Sequence, residues 1–119
     1  MNVMSVAVAD RALKQEVERA LRRLHITGKL LGLKYLIYAV TETVLDPERT
    51  RLITKDLYRE IARKYKTTAS RVERDMRWAI HICWKEAKEE LEEMAGLHLL
   101  QRPTNREFID YIAFYIRNG

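Results

Sequence analysis

The segment TTASRVERDMRWAIH, residues 67–81, clusters Arg71, Arg74 and Arg77 ahead of Trp78 and His81. A guanidinium is a planar fork of donors that matches guanine O6 and N7 or the oxygens of a phosphate, so such a cluster can bind nucleic acid or an acidic protein. Catalysis asks instead for convergent groups, and none is visible. His25, His81 and His98 stand far apart, and there is no glycine-rich phosphate loop, no nucleophile elbow and no carboxylate pair outside ordinary helix-surface spacing. His81 and Cys83 are two apart, which on a helix sends them to different faces and disfavours a chelate. The residues therefore predict a binding protein, with no enzymatic activity, cofactor or metal.

Whether the cluster acts as one surface depends on the element that carries it. At 100° per residue, Val72, Met76, Ala79, Ile80, Cys83, Ala87 and, at the margin, Trp84 fall on one side of a helix. Ser70, Arg74, Arg77, Trp78, His81 and Lys85 fall on the other, with Arg71 nearby. The ridge is then solvent-facing and the apolar side seats it. Ser70-x-x-Glu73 has capping-box spacing for the start of this helix. No Gly or Pro interrupts residues 69–95, which fits either one long helix or two.

The other periodic segments are helical too. Leu13, Val17, Ala20, Leu21 and Leu24 predict a first helix over about 10–26, with Asp10 as N-cap and Gly28 at the exit. Leu33, Leu36, Ile37, Val40 and Val44 predict a second over about 29–45, and DPERT the turn beyond it. A third is expected from Thr54, acting as cap, with Leu57, Ile61, Ala62 and Tyr65 buried. Thr104-x-x-Glu107 after Pro103 marks the last, whose broad apolar surface fits a deeply seated core helix or a dimer contact. The fold class is all-α: a compact bundle of five or six helices containing a helix-turn-helix over about 54–84. In that unit Ile61 and Ala62, ahead of Val72, would let two helices cross closely.

Length and composition agree. The 119 residues suit one domain over 1–119, and 47% hydrophobic with 33% charged residues suits an ordered core. One cysteine, no secretory leader in MNVMSVAVAD and no uninterrupted apolar run long enough to cross a bilayer point to the reducing cytoplasm and away from a membrane. Charge is uneven: residues 49–77 carry ten Lys or Arg against four acids, and KEAKEELEE at 85–93 carries two Lys against five Glu. A cationic module in mid-chain suits a polyanion, although a solvated face has the same composition.

From Gly32 to Trp84 the chain resembles, without a gap, the C-terminal effector domains of the stage zero sporulation protein A family, bacterial response regulators of sporulation. The likeness rests on Ile53-Thr54-Lys55, Leu57-Tyr58, Ile61-Ala62 and the unbroken Thr67-Thr68-Ala69-Ser70-Arg71-Val72-Glu73-Arg74. Pro103-Thr104-Asn105 and Glu107-Phe108-Ile109 extend it into the last helix. The resemblance implies a six-helix transcription factor that reads a TGTCGAA-type element in duplex DNA. Glu73, Arg74 and Arg77 would read bases, Glu73 accepting from a cytosine amino group and the arginines donating to guanines.

Thr54, Lys55, Thr67, Thr68, Ser70 and Arg71 surround the starts of the two helices and would meet phosphate, with Trp78 and His81 at the groove edge. The family also implies a homodimer or tandem pair on DNA and a contact with RNA polymerase near the segment between Trp84 and Pro103, here shorter and more charged. Two further departures stand out: Trp78 replaces a smaller polar ring, and Lys66 occupies a turn where Asn is favoured. No segment here reads as a phosphoacceptor receiver domain, so the chain is expected to be an excised effector domain or a stand-alone relative. The competing reading is a helical interaction or anti-regulator module that keeps the fold and uses the basic ridge on an acidic partner. RNA binding is a weaker third, because Trp78 alone makes a poor stacking platform.

Overall fold

The computed structural model describes the backbone of residues 3–119 and the side chains of residues 9–119. It contains α1 (Val3–Arg23), α2 (Gly32–Leu45), a π-helical turn (Ile53–Leu57) running into α3 (Tyr58–Lys64), α4 (Ala69–Glu86), α5 (Lys88–Ala95) and α6 (Asn105–Asn118). Among the described residues there is no strand, and no helix is long and apolar enough to cross a membrane. The all-α expectation holds, with six α-helices among the described residues. Met1 and Asn2, the start of the segment read for a leader, lie outside the described residues.

Several boundaries differ from expectation. Helix α1 begins before Asp10, which sits inside it and caps nothing. Its exit is made by His25 in the left-handed region (φ 66°) and not by Gly28. The Ile26 N–H donates to Leu21 O (3.1 Å), closing the exposed carbonyls of the last turn. Thr54 does not cap α3, because the chain already coils from Ile53 and the π turn feeds α3 without a break. The stretch 69–95 is two helices. The ladder stops at Ala87 (φ −138°, ψ 34°), and α5 ends on Gly96, whose φ of 71° glycine adopts without strain.

The core is one cluster to which all six helices contribute, centred on large, fully buried side chains such as Leu21, Leu36, Ile61, Met76, Leu91 and Phe108. Helix α2 is the central strut, packed against α1, α4 and α6. On it Tyr35 and Ala39 are buried, while Ile37 and Val44 are only partly covered, so the buried stripe is rotated slightly from the expected one. Helix α6 seats Phe108, Ile109, Ile112, Ala113 and Ile116 in the core and leaves Phe114 outside.

Gly32, at the first turn of α2, touches α4 backbone to backbone. A Cβ there would lie 2.3 Å from the Asp75 carbonyl oxygen, well inside contact distance. Only glycine lets α2 lie this close, and the closeness fixes how far α4 stands out of the bundle.

Candidate nucleic-acid interface

The helix-turn-helix is built by the π turn, α3 and α4. Ile61, Ala62 and Val72 are all buried at the crossing of α3 and α4. The turn between them closes on Lys66, in the left-handed region (φ 53°), with the Thr67 N–H donating to Ala62 O (3.0 Å). A lysine there costs roughly 1 kcal/mol relative to a residue that tolerates this conformation. This is the position read in sequence as favouring Asn.

The cap of α4 is Thr68. Its hydroxyl accepts from the Arg71 N–H (3.2 Å), and its carbonyl accepts from Val72 (3.0 Å). The expected box between Ser70 and Glu73 does not form, since Ser70 already lies inside the helix. The Glu73 carboxylate points forward, with Oε1 3.0 Å from Arg77 Nε. At the start of α6 the box does form: Thr104 Oγ1 accepts from the Glu107 N–H (3.1 Å) and Glu107 accepts from the Thr104 N–H (2.9 Å).

Helix α4 has the two faces its periodicity requires. Val72, Met76, Ala79, Ile80 and Cys83 are buried. Burial pushes the Cys83 thiol up to about 12, with a smaller push from Glu90. The side chains of Arg74 and Arg77 are 59% and 55% exposed, and Trp78 is 55% exposed. Trp84 is half-buried, with Lys88 Nζ 4.8 Å above its ring.

Each of the two arginines has an acidic neighbour on its own helix. Arg74 Nε is 3.4 Å from Asp75 Oδ1, and Arg77 is held by Glu73. Exposed pairs of this kind contribute at most about 1 kcal/mol and are readily exchanged for a better partner.

Elsewhere the predicted contacts fall as follows. Thr54 and Ser70 line one shallow concavity with Tyr58 and Glu73. Lys55, Thr68 and Arg71 are exposed, and Thr67 is half-buried. Trp78 and His81 stack with ring centroids 5.3 Å apart.

Two features beneath the ridge hold it in place. The buried side chain of Asn105, at the start of α6, donates both to Tyr58 OH (3.0 Å) and to the Glu73 carbonyl (3.1 Å), tying α3, α4 and α6 at one point. Behind α3, Arg49 bridges Asp56 (2.8 Å) and Glu60 (2.6 Å). A hydrogen bond from Tyr38 and the charge of Arg49 outweigh burial and hold the Glu60 carboxyl below its usual range.

Arg102 escaped the sequence reading. It lies in the loop before α6, and its Nη1 donates to His81 Nδ1 (3.1 Å) across 21 residues of chain. Because it sits outside any periodic segment, no spacing rule could have connected it to α4.

A family model described as Sporulation initiation factor Spo0A C terminal matches residues 14–116. The chain belongs to this family. Its members are the DNA-binding domains of a bacterial sporulation regulator, and the partner they bind is double-stranded DNA. The match runs from within α1 to within α6 and includes every residue of the ridge.

Proposed function

We propose that this chain is a single effector domain that regulates transcription by reading a TGTCGAA-type element through α4 in the major groove. The observation that carries the reading is the exposure of Arg74 and Arg77 on one face of a helix whose opposite face is fully buried. Arg74 and Arg77 donate to guanines. Glu73, oriented by Arg77, accepts from the amino group of a cytosine, so a carboxylate and a guanidinium already in contact can meet adjacent bases. Losing an exposed intrahelical ion pair costs little beside the roughly 1 to 3 kcal/mol of discrimination from a bidentate base contact.

Thr54, Lys55, Thr67, Thr68, Ser70 and Arg71 hold phosphates around the starts of the two helices, and Trp78 and His81 lie at the groove edge. Two copies bind as a dimer or tandem pair on repeated sites, with RNA polymerase met near α5.

The test is a titration of wild type and Arg74→Ala against TGTCGAA-containing and scrambled duplexes. Wild type should prefer the element at every salt concentration, and the variant should lose that preference. Equal affinity of both proteins for both duplexes refutes the reading and favours the alternative, a basic ridge that docks an acidic protein.

A further inference from the structure

The cationic surface does not end with α4. Three concavities follow one another along a single flank of that helix and share walls. The first contains Thr54 and Ser70; the second, a cleft of about 400 Å³, runs from Thr54 past Glu73 and Arg77 to Arg102; the third is floored by Arg77, Trp78 and His81 and again reaches Arg102. Thr54 thus stands at one end of a shelf beside the arginine ridge, and Arg102 stands at the other.

The two ends differ in chemistry. Thr54 is a neutral hydroxyl. Arg102 is an exposed guanidinium whose polar partner among the described residues is an imidazole nitrogen and not a carboxylate, unlike Arg74 and Arg77. A guanidinium has donors only, so His81 Nδ1 must accept, which requires that nitrogen to be unprotonated. The ring is further held by its stack on Trp78. Of the five N–H donors of Arg102, one is used on His81 and the rest remain for another acceptor. A full positive charge, restrained by an imidazole and not by a carboxylate and set beside the arginine ridge, suits an anionic oxygen.

We propose that Arg102 grips a backbone phosphate of duplex DNA beside the C-terminal half of α4, with His81 as the residue that positions it. The loop before α6 is then a second DNA-contacting element, supplied from outside the helix-turn-helix. This rests on the DNA-binding reading above but not on its base assignments. A phosphate contact carries no sequence information, so it adds affinity and salt sensitivity without preference.

The experiment measures affinity across a salt series for wild type, R102A, R102K, H81A and R102A/H81A, each on TGTCGAA-containing and scrambled duplexes. Removing one phosphate contact should lower the magnitude of the slope of log affinity against log salt by about 0.9, equally on both duplexes. R102K keeps the charge and should restore the slope. H81A should weaken binding more in wild type than once Arg102 is gone, a coupling that a purely structural histidine would not produce.

An unchanged slope in R102A, with preference for the element intact in wild type, overturns this inference alone. A wild type without preference, whose slope still drops in R102A, overturns the base assignments and leaves Arg102 as proposed. Loss of preference in R102A at unchanged slope makes it a base reader and overturns the phosphate assignment. An H81A effect as large in the R102A background as in wild type overturns the positioning role.

Discussion

Helices α4 and α6 begin with the same local device completed to different degrees. At α6, Thr104 and Glu107 satisfy each other's backbone donors, and Asn105 beside them is buried against Tyr58 and the Glu73 carbonyl. At α4, Thr68 alone caps, and Glu73 is free of the backbone and engaged with Arg77. A helix whose work is to anchor the bundle uses its carboxylate to close its own end. The helix proposed to read DNA spares its carboxylate for the exposed face, keeping open donors at its start where an anion gains from the helix dipole.

The strongest way to break this division of labour is to cut into each helix at its main task. Phe108→Ala removes a fully buried ring from α6 and should cost about 3 to 5 kcal/mol in denaturant unfolding. Arg74→Ala should stay within about 0.5 kcal/mol of wild type in the same assay while losing preference for the element. If Arg74→Ala proves as damaging to stability as Phe108→Ala, the separation between anchoring and reading helices is wrong.

Gly32→Ala acts on both properties at once. Overpacking of this kind costs about 1 to 3 kcal/mol. The new methyl must displace the Asp75 backbone, and so the ridge, by enough to weaken binding to the element as well. A variant with a normal melting temperature and normal binding would show that α4 does not depend on this close approach.

Smaller effects sharpen the contrast between the two caps. Thr104→Ala should cost about 1 kcal/mol. Ser70→Ala, at the position of the unformed box, should change stability by less than about 0.5 kcal/mol. Glu73→Gln should likewise be nearly silent in unfolding yet alter discrimination at one base pair of the element. A stability loss in Ser70→Ala equal to that in Thr104→Ala would mean that α4 is capped as α6 is.

The smallest signal is chemical. With its pKa near 12 and its side chain fully buried, Cys83 should not react with a thiol reagent at pH 8 in the native protein. Its labelling rate then reports how often the buried face of α4 opens. Fast labelling under native conditions would show that α4 is less firmly seated than its packing implies.

Much of the architecture was legible because helix periodicity is local. The apolar positions of α4 and α6, the exposure of Arg74 and Arg77, and the Thr104 cap follow from spacings of three and four residues. Features that failed were local signals with competitors. Asp10 reads as a cap, but a chain already helical upstream has no orphan donor for it to satisfy. Gly28 reads as an exit, but His25 accepts the left-handed turn three residues earlier. Ser70 and Glu73 have box spacing, but Thr68 begins the helix first and Arg77 takes the carboxylate.

The sequence by itself determined that the chain is helical, that one of its helices is basic on one side and oily on the other, and, through the run Thr67 to Arg74, which family it belongs to. These are properties of neighbours along the chain, and no distant contact is needed to establish them. Only the tertiary structure decided that Gly32 sets the height of α4, that Asn105 locks three helices together, and that Arg102 joins the arginine ridge. Each of those depends on groups separated by 20 to 50 residues meeting within hydrogen-bond or van der Waals distance, and such meetings are set by how the whole core packs.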